Sequence, residues 1–176
     1  VSALEDYLEL RPEKTSLVKY FIKEKKLRIG PFYCSSDSFL VSGECLYRNL
    51  KLGMKKAKEL GETDFIAYIA DSFGHSKDIP LLLKFLKLHR ACLWRGLGDL
   101  SADFYWNNIR VTNLIQGYFQ DFLHSDLPIE QKAENLKRYL DKISEKSGNI
   151  VLLPVGADHL AVCKNIVQIV KELNNI

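Results

Sequence analysis

The chain has 176 residues, of which 47% are hydrophobic and 27% are charged, and its net charge is +3. These values are typical of one globular domain and exclude disordered and fibrous classes. The lysines are scattered among glutamates and no apolar run reaches about 18 residues, so we expect neither a nucleic-acid partner nor a membrane span.

The first elements follow from hydrophobic periodicity. Apolar residues at helical spacing predict a helix around residues 17–22, and "LRIGPFY" at residues 27–33 predicts a strand that Gly30 and Pro31 close. Ser42 is a good helix N-cap. The helix that it begins carries apolar residues every three or four positions and is expected to end at Gly61.

The rest of the chain continues the alternation of strands and helices. "FIAYIA" from Phe65 is apolar without alternation, as in a strand that is buried on both faces. The later elements predicted are a helix at 79–88, strands at 91–94, 103–106 and 109–115, a long amphipathic helix from Pro128, a strand at 149–155 and a closing helix.

This rhythm predicts an α/β fold with a mainly parallel sheet flanked by helices, either an open sheet or part of a (β/α) barrel. In both arrangements, the functional side chains gather at the carboxyl ends of the strands. Residues that directly follow a predicted strand are therefore the first candidates for a site.

Two acids follow predicted strands. Asp71 comes after "FIAYIA", and Asp158 comes after "NIVLLPV" in the block "VGAD". Each acid by itself could be the N-cap of the next helix. Together, two carboxylates that face one cavity are what glycosidic bond cleavage requires, one as nucleophile and the other as proton donor.

Other polar residues lie near these acids. His75 and His159 could serve a metal, a hydrogen-bonded acid or a structural role, and the sequence lacks an HExxH motif or a His pair at helical spacing. Arg95 follows the 91–94 strand, where it could bind substrate or pair with Asp99.

The segment "IGPFYCSSDSFLVSGECLYRNL" places Tyr33 and Asp37 between a strand and a helix. An aromatic ring and an acid on a rim loop are also typical of a sugar-binding surface.

The four cysteines, Cys34, Cys45, Cys92 and Cys163, are widely spaced and form no CxxC pair. Their apolar or strand-like surroundings predict buried free thiols. Free thiols favour a cytoplasmic location.

Four blocks in order, namely "IGPFYCSSDSFLVSGECLYRNL", "YIADSFGHSKDIPLLL", "LWRG" and "DFYW", resemble the catalytic domain of family 38 glycoside hydrolases, the α-mannosidases. The resemblance extends from about Leu27 to His159. It implies a zinc-dependent retaining hydrolase that acts on a mannose-containing oligosaccharide or another mannoside.

The resemblance also implies roles for individual residues. Asp71 would be the nucleophile and a zinc ligand, and Asp158 would be the acid/base. Arg95 would contact substrate, and Asp37 and Tyr33 belong to the matching rim loop.

The sequence departs from the family pattern in two ways. No His-x-Asp pair occurs before Leu27 and no later histidine fits, so we expect a fragment of the barrel domain, residues 1–176, that has lost upstream and downstream segments. Such a fragment would by itself be inactive and free of zinc, and its exposed sheet edges would allow self-association. In "SSDS", Ser38 replaces the acid of a Pro-Asp-Glu pattern.

Two other functions stay open. A non-catalytic carbohydrate-binding or scaffold module could retain the same half-barrel without the chemistry. A hydrolase like the polysaccharide deacetylases would predict His-x-x-x-His pairs, which the four histidines do not form.

Overall fold

The computed structural model describes residues 1–100, 102–115, 117–118, 120–147, 150–156 and 158–176. These residues divide into two units. The first unit contains Val1–Gly98 and Phe104–Thr112, and the second contains Asp99–Asp103 and Asn113–Ile176.

A four-stranded sheet lies in the first unit apart from its end residues Asp103 and Asn113. The strands are β1 (Ala67–Ile69), β2 (Arg90–Leu93), β3 (Asp103–Trp106) and β4 (Ile109–Asn113), in the order β1-β2-β4-β3. Strands β1 and β2 are parallel, with Ile69 opposite Leu93. Ala91, Cys92 and Leu93 of β2 are buried. In β1, Ala67 and Ile69 are buried but Tyr68 is 53% exposed, so the prediction that this strand is buried on both faces is wrong.

A two-residue turn joins β3 to β4. Asn107 and Asn108 both have positive φ, at 46° and 65°. Asparagine tolerates this backbone region better than most residues, and a turn of this length connects antiparallel strands.

Four helices of the first unit accompany the sheet, namely α1 (Ser2–Leu10), α2 (Thr15–Lys23), α3 (Gly43–Glu59) and α4 (Ile79–Phe85). The Ser42 side chain caps α3 by accepting a hydrogen bond from the amide of Cys45, and Gly61 follows the helix with φ +102°, so both predicted ends of α3 are confirmed. Leu50, Leu83 and Leu93 are almost completely buried and form the centre of the core.

The second unit has its own core beneath a 19-residue amphipathic helix, α5 (Ile129–Ser147). A shorter helix, α6 (Ile166–Leu173), packs on it. Leu123, Leu136 and Ile169 are completely buried between these elements. The predicted amphipathic helices in this region are confirmed.

Two predicted strands are wrong. Residues 27–33 contain no strand, and side chains bind two of their amides: Glu62 accepts from the amide of Ile29 at 3.3 Å, and Asn49 accepts from that of Tyr33 at 2.7 Å. Residues 150–155 form none either, and Ile150 and Leu152 are exposed. A strand requires a partner for its backbone groups, which hydrophobicity does not supply. Asn149, where this strand was predicted to begin, lies outside the described residues.

The prediction of an α/β fold is confirmed.

All four cysteines are free, as predicted. The prediction that they are buried is right for Cys92 and Cys163 and wrong for Cys34 and Cys45, which are exposed. Burial raises the pKa of the Cys92 thiol to about 12. None of the described helices has both the length and the apolar character needed to cross a membrane.

Candidate active site

Asp71 and Arg95 lie together at the carboxyl edge of the sheet. Ile69 and Leu93 are opposite each other in the parallel pair, and each of the two polar residues comes two positions later. The Nε atom of Arg95 donates to Oδ1 of Asp71. The structure therefore brings together two of the predicted site residues, with the Asp71 side chain 43% exposed and that of Arg95 30% exposed.

Two aromatic rings hold the Arg95 guanidinium. Its central carbon lies 4.3 Å from the ring centre of Phe73 and 4.2 Å from that of Trp94. A planar guanidinium is attracted by the electron-rich face of an aromatic ring. Because Phe73 is 72% exposed, it forms an accessible apolar surface beside the Asp71 carboxylate. Sequence reasoning missed this arrangement, although the aromatic neighbours of Asp71 and Arg95 are visible in "DSF" and "LWRG".

Asp37 connects two loops instead of standing alone. Its Oδ1 accepts from the amide of Phe39 at 3.1 Å, and its Oδ2 accepts from the amide of Phe73 at 3.0 Å. The first contact is an aspartate turn within its own loop, and the second reaches the loop that follows Asp71. Its predicted contact with substrate remains a prediction.

Serine hydroxyls add three contacts between the same loops. Ser72 Oγ donates to the carbonyl of Ser36 at 2.9 Å, and Ser38 Oγ donates to the carbonyl of Gly74 at 3.0 Å. Ser38 Oγ also accepts from the amide of Ser76 at 3.1 Å. We call the contacts of residues 36–38 with residues 72–76 the loop clasp.

His75 faces the main chain of the neighbouring strand end. Its Nε2 lies 2.7 Å from the carbonyl oxygen of Arg95, and its ring lies edge-on to Trp106, with 6.3 Å between the ring centres. Nδ1 is buried and has no hydrogen-bond partner among the residues that the structure describes. This contact gives His75 a structural link to Arg95, one of the roles that the sequence left open.

Tyr33 is engaged by the first helix. Its hydroxyl donates to Oε2 of Glu5 at 2.8 Å, and this hydrogen bond raises the pKa of Tyr33. Lys56 pairs with the other oxygen of Glu5. A substrate contact by Tyr33 remains a prediction, and its hydroxyl would have to be shared with Glu5.

Asp158 belongs to the second unit, in a turn that follows Gly156. Its side chain is exposed, and the Tyr118 hydroxyl donates to its Oδ1 at 3.5 Å. The described residues directly before it, 150–156, contain no strand, so the position of Asp158 after a strand, which selected it from the sequence, is not observed. Its pairing with Asp71 remains a prediction that rests on the family resemblance.

The residues do not by themselves fit a zinc site. Throughout the described part of the chain, no group of three or more His, Cys, Asp and Glu side chains could hold a metal ion. Protein zinc sites use three or four such ligands, whereas the carboxylate of Asp71 is paired with a cation. The described residues therefore supply too few ligands to hold zinc.

Comparisons with known proteins identify relatives of this chain. A putative mannosylglycerate hydrolase of Halalkalibacterium halodurans is 30% identical over an alignment of 188 residues, which covers 96% of this chain and 21% of that protein. The chain thus spans about a fifth of the length of this curated relative.

Two solved structures are similar to this chain over almost its whole length. An α-mannosidase from Enterococcus faecalis V583 matches 98% of the chain and 21% of its own length, with a TM-score of 0.84 and 25% identity. A glycosyl hydrolase family 38 protein from Enterococcus faecalis, at 24% identity, shares the fold over 98% of the chain and 19% of its own length, with a TM-score of 0.69. The family model for the glycosyl hydrolases family 38 N-terminal domain matches residues 1–176, and the chain therefore belongs to this family.

Proposed function

We propose that this chain is part of a retaining α-mannosidase in which Asp71 is the nucleophile and Asp158 the acid/base. The observation that carries the proposal is the exposed Asp71 carboxylate, which Arg95 holds at the sheet edge of a family 38 chain. An accessible, oriented carboxylate is what attack on an anomeric carbon requires.

The chemistry proceeds in two steps. Asp71 attacks the anomeric carbon while Asp158 donates a proton to the leaving oxygen, which gives a covalent glycosyl-enzyme. Asp158 then removes a proton from water, which attacks the same carbon and releases Asp71. This mechanism requires the two carboxyl groups to come within roughly 5–5.5 Å of each other.

Arg95 has two functions in this proposal. It orients one oxygen of Asp71, and its guanidinium also offers further donors to a hydroxyl or an anionic group of the substrate. The relative named as a mannosylglycerate hydrolase suggests a substrate with a carboxylate. Assays should therefore include mannosylglycerate besides aryl α-mannosides and mannose oligosaccharides.

The test uses protein expressed from the full reading frame. We expect Asp71→Asn to lower kcat by on the order of 10³-fold or more. Asp78→Asn removes another exposed carboxylate from the same segment and should leave kcat unchanged. The first product, followed by NMR, should be the α-anomer. Unchanged activity in Asp71→Asn, or an initial β-anomer, would contradict the proposal.

The same preparation tests the remaining expectations. Metal analysis of the full protein should find stoichiometric zinc, whereas residues 1–176 alone should carry none, hydrolyse no mannoside and associate with one another. Binding of mannosides without hydrolysis by the full protein would favour the alternative, a carbohydrate-binding or scaffold module.

A further inference from the structure

We infer that Ser38 is a positioning residue, which next to the contacts of Asp37 holds the loop after Asp71 in a catalytically competent arrangement. The inference rests on the proposed role of Asp71 as the nucleophile.

Ser38 contacts the loop on both sides of His75. Its single hydroxyl donates to the carbonyl of Gly74 at 3.0 Å and accepts from the amide of Ser76 at 3.1 Å. A hydroxyl can donate and accept at once, whereas an ionised acid only accepts. Serine at this position therefore satisfies two main-chain groups of opposite polarity.

Asp37 accepts one hydrogen bond from its own loop and one from the loop that follows Asp71. The amide of Phe39 orients one carboxylate oxygen, and the other oxygen accepts from the amide of Phe73. Hydrogen bonds to an ionised acceptor are stronger than those between neutral groups. The contact therefore fixes the backbone two residues after the nucleophile.

Displacement of this loop would reach Asp71 by two routes. The first is the chain itself, because Ser72 directly follows Asp71 and its hydroxyl is bound to the carbonyl of Ser36. The second passes through Arg95, whose guanidinium rests on the Phe73 ring and pairs with Asp71. Misplacement of a reacting group by about 1 Å can cost up to about 10²-fold in rate.

Three variants of the protein from the full reading frame test the role. Ser38→Ala should lower kcat on an α-mannoside roughly tenfold and change KM less than about twofold, because positioning acts on the transition state. Ser38→Thr retains a hydroxyl and should restore most of kcat. Ser35→Ala removes an exposed serine from the same loop and should behave like the wild type.

Amide hydrogen exchange gives a readout that does not depend on activity. In Ser38→Ala, the amide of Ser76 should exchange faster than in the wild type, while Ser35→Ala should leave it unchanged. A kcat that stays at the wild-type value in Ser38→Ala, or failure of Ser38→Thr to restore kcat, would overturn the positioning role.

The two proposals can fail separately. If Asp71→Asn keeps its activity, the proposed function is wrong, whatever the results for the Ser38 variants. If Asp71→Asn is inactive but Ser38→Ala is fully active, only the positioning role is wrong. Exchange at Ser76 that is the same in Ser38→Ala and in the wild type would also overturn it.

Discussion

Arg95 pairs with Asp71 because both residues lie two positions beyond strands that run parallel and in register. Strand β2 itself begins with another arginine, Arg90, which pairs with Asp64. An Arg–Asp ion pair therefore lies near each end of this strand, one at the candidate site and one away from it.

Arg95→Lys should lower kcat/KM roughly tenfold or more, because lysine keeps the charge but loses the planar face that rests between Phe73 and Trp94. Both side chains of the ion pair are partly exposed, so we expect the free energy of unfolding to change by about 1 kcal/mol or less.

Arg90→Lys is the matched control for Arg95→Lys. Steady-state kinetics and thermal melting of both variants should show a loss of activity in Arg95→Lys alone. Equal activity in the two variants would show that the Arg95 guanidinium beside Phe73 and Trp94 has no role in activity.

Asp158→Ala should act selectively on substrates that need a proton on the leaving oxygen. We expect kcat/KM, which reports formation of the glycosyl-enzyme, to fall roughly 10²–10⁴-fold for alkyl or sugar mannosides, and much less for an aryl mannoside whose leaving group is already a good one. Asp141→Ala, an exposed acid of the same unit, serves as control. A loss in kcat/KM of equal size on both substrate classes would show that Asp158 is not the acid.

Gly53 allows α3 to approach the loop before it. A Cβ atom at this position would lie 2.2 Å from the carbonyl oxygen of Pro31 and 2.3 Å from the amide nitrogen of Tyr33. Because both atoms belong to the backbone, Gly53→Ala should destabilise the fold by about 1–3 kcal/mol.

Gly43→Ala provides the comparison in the same helix, since a Cβ atom there meets nothing within 4 Å. This variant should be neutral or slightly stabilising. Urea denaturation of both variants measures the difference. Similar midpoints would mean that the loop at residues 31–33 moves to accommodate the Cβ atom without a loss in the free energy of unfolding.

Glu5 makes stability depend on acidic pH. The hydrogen bond from Lys56, and then the one from Tyr33, lower the pKa of Glu5 below its ordinary value of about 4.3. A lowered carboxyl pKa contributes stability that is complete above the unfolded value and is lost as the pH falls through the folded value.

The melting temperature of the wild type should therefore exceed that of Glu5→Gln at pH 6, and the difference should shrink below pH of about 4. Glu9→Gln changes an exposed acid of the same helix and should not alter the pH dependence. A difference that persists unchanged to pH 3 would show that the charge of Glu5 is not responsible.

Local patterns in the sequence predicted the helices well. The extent of α3 followed from its apolar spacing, from the Ser42 cap and from Gly61, because caps and periodicity act within one or two turns. The N-terminal helix α1 was missed, and none of its residues is buried. A helix with so little burial needs few apolar residues at helical spacing, and this spacing is the signal from which helices are predicted.

Strands were less predictable because their partners are distant in sequence. "FIAYIA" became β1 since "ACLW" lies beside it, whereas the apolar run at residues 150–155 has no strand in the described residues. At residues 27–33, the side chains of Glu62 and Asn49 take the amides that a strand would have used.

The sequence by itself determined the α/β class, the family and the place of Asp71 after an apolar strand, because short apolar runs, caps and motifs are local properties of the chain. Only the tertiary structure decided that Arg95 meets Asp71 between two aromatic rings and that residues 36–38 hold residues 72–76. These contacts join segments that are 20 to 40 residues apart, and their geometry depends on strand register and backbone hydrogen bonds, which no local pattern encodes.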